Sequence, residues 1–232
     1  MTWSFLNVMG KPLGLTPFTI DDFEQALYHS DPYTSPSHLL IEVHAALLNS
    51  LLRDVVAGGE PVKALVHTGM EKVENDIDNW EGTKGASTDT IRAAAQDLAD
   101  KWRDRELPAR DNRKGWEAAL VGCLWDRATL DVLPHYLDNI LHLTFEDKPA
   151  PTRPTWSTGP SSGAAGVYGL VPAKPEKRYP SLHFVHKLSI IAFLVDLVSQ
   201  TVEIRDYIEE TTQLLTEVRK DQIEVRREQR RV

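Results

Sequence analysis

Along the first quarter of the chain, apolar residues recur at three- and four-residue steps, and short polar or Pro/Gly stretches divide them into helices. Ile20, Phe23, Ala26 and Leu27 fall on one face of a first pattern, which Thr19 and Asp22, three residues apart, open in the manner of a capping box. Leu39, Leu40, Val43, Ala46, Leu47, Leu51, Leu52 and Val55 give the next helix a wide apolar face. Ser35-Pro36 offers it a cap followed by proline at the first helical position, and Gly58-Gly59 a stop. Upstream, Trp3, Phe5, Leu6 and Val8 predict a short helix ended by Gly10-Lys11-Pro12, so three helices are expected to fill residues 1–57 and pack on one another.

Farther on, Val62 to Val73 is partly apolar, and Glu74 to Ser87 is polar, acidic and glycine-bearing, which predicts a loop. Ser87 or Thr88 then starts a helix with Ile91, Ala94, Ala95, Leu98 and Trp102 on one side, and it should stop before Pro108. Asn112 to Cys123 and Thr129 to Leu143 predict a helical pair, with Trp116, Ala119, Leu120, Leu124, Leu133, Leu137, Ile140 and Leu141 as its core and Pro134 weakening its second member. Between Asp147 and Pro180 stand seven of the 14 prolines and four glycines, a composition that predicts a long loop, mobile around Ser157 to Gly166. No Gly or Pro follows Pro180, so one long helix is expected from Ser181 almost to the end. Ile190, Leu194, Leu197, Thr201, Ile204, Ile208, Thr211, Leu215 and Val218 give it a heptad-like seam that should be buried along much of its length, inside the molecule or in a coiled coil.

With 232 residues, 41% of them hydrophobic, the chain has material for a real core. No run alternates apolar and polar residues between hairpin turns, so the expected class is all-α. The single cysteine, Cys123, excludes a disulfide framework or a cysteine-rich zinc site within one chain. The N-terminus has no signal pattern, and Leu188 to Val198 is too short to span a bilayer, so a soluble intracellular protein is expected.

The net charge of -8 is unevenly spread: Met1 to Glu106 holds 9 Lys+Arg against 17 Asp+Glu, whereas the remainder holds 17 of each. An acidic half repels phosphate and suits a basic protein partner, and Asp21, Asp22, Glu24, Glu42 and Asp54 are the candidates for such a face. The first three also stand at a helix start, where negative charge favours the helix dipole, so a purely local role is equally open. Near the other end, Arg219, Lys220, Arg226, Arg227, Arg230 and Arg231 form the locally basic segment. They either complement the C-terminal end of their own helix or contact DNA phosphates without selecting sequence.

Catalytic chemistry finds little support. His183 and His186 are three residues apart but lack a signalled third ligand, and His44, inside an apolar helix, reads as a packed core histidine. There is no Gly-x-Ser-x-Gly elbow and no phosphate-cradling loop, and the glycines from Gly163 to Gly169 lack the Lys and helix that would follow in one. No catalytic, cofactor-binding or metal-ligating residue is therefore assigned. An enzyme would need a constellation assembled from residues far apart in sequence.

The segments Pro12-Leu13, Leu15-Thr16-Pro17-Phe18, Asp21 to Leu27 and Leu39 to Leu48 together resemble the DDT domain, a short three-helix module. Gly115-Trp116-Glu117 with Tyr136 to Leu143 looks like a first WHIM motif. Lys187 to Leu194, Ile204 to Ile208 and Leu215 to Lys220 look like a second. The resemblance implies a multi-helix, all-α DDT–WHIM module: a DDT-like region over 1–60, a connecting acidic loop and helix over 61–110, a first WHIM-like pair over 111–146, the Pro/Gly-rich loop over 147–180, and a second WHIM-like long helix with a basic end over 181–232. It further implies a nuclear, non-catalytic accessory subunit of ISWI-type chromatin remodellers, without cofactor, that binds the remodelling ATPase through that subunit's basic DNA-binding region and helps contact linker DNA or nucleosomes. The alternative is chiefly a sequence-nonspecific duplex-DNA binder working through the basic helix. No PHD finger, bromodomain or homeodomain pattern accompanies the module.

Overall fold

The computed structural model describes residues 2–30, 36–64, 87–104, 106–109, 111–147 and 170–230. The predicted acidic loop from Glu74, the stretch around Ser157 to Gly166 and Arg231 lie outside the described residues. The described chain forms ten α-helices: α1 Thr2–Val8, α2 Gly10–Leu13, α3 Ile20–Tyr28, α4 His38–Val56, α5 Thr88–Trp102, α6 Trp116–Arg127, α7 Pro134–Thr144, α8 Pro175–Arg178, α9 Phe184–Val198 and α10 Val202–Gln229. A two-stranded antiparallel sheet joins β1 Phe145–Asp147 to β2 Leu170–Pro172, pairing Phe145 with Pro172 and Asp147 with Leu170. Strands of three residues are too short to alternate visibly, which is why the all-α pattern did not show them.

Local chemistry sets the helix ends. The Asp22 N–H donates to Thr19 Oγ1 at 3.1 Å while the Thr19 N–H donates back to Asp22 Oδ2 at 3.1 Å, the predicted capping box. α4 starts two residues later than Ser35-Pro36 suggested, with Ser37 at its N-cap, and ends before Gly58, whose φ of +93° suits glycine. Ser87 caps α5 by accepting the Thr90 N–H. Pro134 occupies the first turn of α7, where a missing N–H costs nothing, so it starts that helix rather than weakening it.

α4 is buried along nearly its whole length and forms the axis of the molecule, with α3, α6 and α9 packed on it. α5 and α6 cross at close range. A Cβ on Gly122 would stand 2.5 Å from the Leu98 carbonyl oxygen and 2.7 Å from Trp102 Cδ1, so only glycine permits this crossing. The eight core residues expected in α6, α7 and the turn before α7 are all buried, and one continuous apolar cluster runs from Leu6 to Ile204. Full burial of each such Leu or Ile side chain contributes about 1.5–3 kcal/mol.

Two expectations for the C-terminal half are corrected. Residues 170–180, read as the end of a loop, form β2, α8 and a 3-10 turn over Tyr179–Ser181, with Pro175, Tyr179 and Pro180 buried. The long helix expected from Ser181 is two helices broken at Ser199–Thr201. There Ser199 Oγ donates to the Asp196 carbonyl at 2.8 Å and Thr201 Oγ1 to that of Val198 at 2.7 Å, side-chain bonds that compete with helix continuation. The apolar seam is buried from Ile190 to Ile204, but Ile208, Leu215 and Val218 are exposed.

Candidate partner-binding groove and basic helix

The sequence Leu13 to Phe18 cannot form helix at its Gly14 and Pro17 interruptions, and it folds as a loop over the N-terminal ends of α3 and α4. Gly14 takes a φ of +68° as the C-cap of α2. Trp3 Nε1 donates to the Phe18 carbonyl and the Phe18 N–H donates to Asn7 Oδ1, both at 3.2 Å, so α1 anchors the loop. Between loop, α3 and α4 lies a groove of about 710 Å³. Leu15, Phe18 and Leu39 line it with apolar surface, Asp22 and Gln25 border it from α3, and Glu42 from α4.

Charge on the two rims is held differently. Hydrogen bonds from the Thr19 side chain and backbone lower the pKa of Asp22. Glu42 receives both prongs of the Arg113 guanidinium, Nε to Oε1 at 3.1 Å and Nη2 to Oε2 at 2.8 Å, and these bonds lower its pKa against the opposing effect of partial burial. Arg113 reaches Glu42 from a turn in which Asp111, Asn112 and Arg113 all have left-handed φ values of 58°, 49° and 54°. Such a run is strained for non-glycine residues. A further Arg113 bond to the Leu107 carbonyl helps hold it, and Asn49 of α4 both donates to that carbonyl at 3.0 Å and accepts the Leu107 N–H at 2.8 Å.

The five acidic candidates do not form one face. Asp21, Asp22 and Glu24 are on α3, and Glu42 lies across the groove from Asp22. Asp54 is 7% exposed, and its Oδ1 accepts the Val202 N–H at 2.8 Å, capping α10. Beside it, Ser50 and Arg53 bond Glu203 at 3.2 Å each, so the last turns of α4 hold the start of α10. The helical periodicity of α4 placed Asp54 off the main apolar seam; the helix packed over that position only becomes apparent in the fold.

The basic candidates Arg219, Lys220, Arg226, Arg227 and Arg230 are all exposed at the far end of α10. At 3.6 residues per turn, Arg219, Arg226 and Arg230 share one stripe, and Lys220 and Arg227 lie on a second beside it.

A buried polar hub joins the N-terminal helices to the C-terminal ones. His44 Nδ1 donates to the Leu40 carbonyl at 2.7 Å, and Tyr179 Oη donates to His44 Nε2 at 3.3 Å. Burial lowers the His44 pKa to about 4, so the ring is neutral, as its apolar setting suggested. Trp116 packs against both rings, with centroids at 4.6–4.7 Å. Lys187, 1% exposed, donates to the carbonyls of Leu27, His29 and Pro180 at 3.4, 2.5 and 3.2 Å, satisfying the C-terminal end of α3 from α9. Its sequence signal was a lone lysine in an otherwise apolar run; Arg113 and Asn49 had no such signal.

Among the described residues no cluster of three or more His, Cys, Asp or Glu is placed to hold a metal ion. His183 accepts the Val185 N–H and so caps α9. Cys123 is fully buried, and burial raises its pKa.

The helices around the groove and hub coincide with two known modules. Residues 1–54 match the family model of the DDT domain, and residues 170–209 match that of WHIM1, the first motif shared by WSTF, Itc1p, MBD9 and related proteins. The chain therefore carries a DDT domain followed by a WHIM motif. Among relatives, it is 36% identical over 82 residues to Homeobox-DDT domain protein RLT2 of Arabidopsis thaliana, and 46% identical over 82 residues to Homeobox-DDT domain protein RLT1 of the same organism. Each match covers 35% of this chain and 4% of the relative. No solved structure matches. The WHIM1 match falls on the stretch containing α9, read above as part of the second WHIM region, and not on the helical pair α6–α7 read as the first. Trp116 and its apolar neighbours are core residues of the kind any packed helix carries.

Proposed function

We propose that this chain is a non-catalytic, nuclear scaffold of a chromatin-remodelling assembly, in which the DDT groove takes a basic segment of an ISWI-type ATPase. The observation that carries this reading is the groove itself, whose apolar lining lies between carboxylates on opposite rims. A Lys or Arg from a basic helix would lay its apolar stem on Phe18 and Leu39 and bring its charge to Asp22 and Glu42. The capping box and the Arg113 clamp hold both carboxylates before any partner arrives, which lowers the ordering cost of binding.

A second reading has support in the exposed Arg219–Arg226–Arg230 stripe, which suits the phosphates of linker DNA or nucleosomes. One calorimetric experiment separates the two. The chain is titrated with the basic DNA-binding region of an ISWI-type ATPase and, separately, with short duplex DNA. Asp22→Lys with Glu42→Lys should weaken the protein partner by at least about tenfold and leave DNA affinity unreduced, whereas neutralising Arg219, Arg226 and Arg230 should weaken DNA alone. No protein binding at low micromolar concentration and modest salt would defeat the first reading.

A further inference from the structure

α10 begins on the body and then leaves it. Of its 28 residues, only Ile204 is buried, and beyond Thr211 every described side chain is exposed. Yet its apolar pattern does not stop: Ile208, Leu215, Val218 and Val225 are 44%, 53%, 51% and 52% exposed and continue the heptad spacing of the seam that is buried up to Ile204. From Ile208 to Gln229 this seam spans about three heptads, or about 33 Å.

We infer that the exposed seam of α10 pairs in parallel, in register, with α10 of a second copy of this chain. The argument rests on the charges flanking the seam. On one flank stand Arg205, Arg219 and Arg226 with the neutral Thr212; on the other stand Tyr207, Leu214, Asp221 and Glu228, apolar or anionic. In a parallel pair each flank faces the opposite flank of the other copy, which sets Asp221 against Arg226 twice and lays Leu214 along the stem of Arg219. An antiparallel pair would set arginines against arginines and carboxylates against carboxylates. Gln222 falls within the seam, where two facing amides satisfy each other only when the copies are in register. Pairing also divides the basic residues: Arg219 and Arg226 turn toward the other copy, while Lys220 and Arg227 stay outward.

The inference is independent of what fills the DDT groove. Sedimentation equilibrium of the whole chain at tens of micromolar should give about twice 26.1 kDa. Leu215→Glu should return it to the single mass with unchanged thermal unfolding of the body, because that side chain is exposed on the part of α10 that has left it. Asp221→Arg should weaken pairing on the order of tenfold, and adding Arg226→Asp should restore it. Under mild oxidation Val225→Cys should cross-link two copies and Arg227→Cys, on the outward face, should not; the native Cys123 is buried and does not compete. A single-copy mass at about 100 µM and low salt, a Leu215→Glu variant that still pairs, or a dimer that Val225→Cys fails to cross-link would each overturn the inference.

Discussion

Glu117 and His44, both buried near the hub, titrate with opposite consequences. Burial, reinforced by the charge of Glu176, raises the Glu117 pKa from 4.5 to about 7, so the folded state binds its proton more tightly than the unfolded state. Its contribution to stability is complete below pH 4.5 and is lost as pH rises through 7. For His44 the folded pKa is depressed from 6.5 to about 4, so its contribution is complete above pH 6.5 and is lost as pH falls through 4. The two slopes cancel between pH 4.5 and 6.5 and leave a plateau there. Glu117→Gln should therefore match the parent chain near pH 5 and exceed its stability by about 2–3 kcal/mol above pH 8, as read by urea unfolding at both values. Equal stability at pH 8 would show that the carboxylate finds solvent. Sequence showed His44 as a core residue because its neighbours are apolar at helical spacing, but Glu117 looked like any acid in a first helical turn. Its burial depends on α8, more than fifty residues away.

At the scale of elements, most helices were legible because each carries its own apolar period and its own caps: Thr19–Asp22, Ser87 and Gly58 act within one or two turns. The junctions were not. Lys187 spans α3 and α9 with three hydrogen bonds to backbone carbonyls, and Asp54 caps a helix 148 residues downstream. Replacing Lys187 with Met keeps the apolar stem but leaves the carbonyls of Leu27, His29 and Pro180 without their donor, which should cost about 2–4 kcal/mol by chemical denaturation. A cost below about 1 kcal/mol would mean that water replaces the ammonium. The break between α9 and α10 was hidden for a related reason. Ser, Gln and Thr are tolerated in helices, and the heptad spacing runs through Thr201 unbroken. It is the Asp54 carboxylate, bonded to the Val202 N–H, that makes a new helix start the better solution.

Across the whole molecule, DDT helices, α5–α7 and the WHIM helix share one apolar cluster, and the His44–Trp116–Tyr179–Lys187 hub ties them together. The body should therefore unfold in a single transition, with near-ultraviolet circular dichroism of its tryptophans and the main far-ultraviolet change sharing one midpoint. Two separated midpoints would mean that DDT and WHIM parts fold independently. Periodicity, capping and composition are local properties, and they were enough to set the helical class, the DDT pattern, most core positions and the opposed charges of the two ends. Which charges remain available was decided in three dimensions. The fold drew Asp54 into a cap, clamped Glu42 with Arg113, formed a groove from a loop and two helix starts, and left the distal seam of α10 in solvent. These outcomes depend on burial and hydrogen bonding between residues tens to hundreds of positions apart, where no local pattern records which partner arrives.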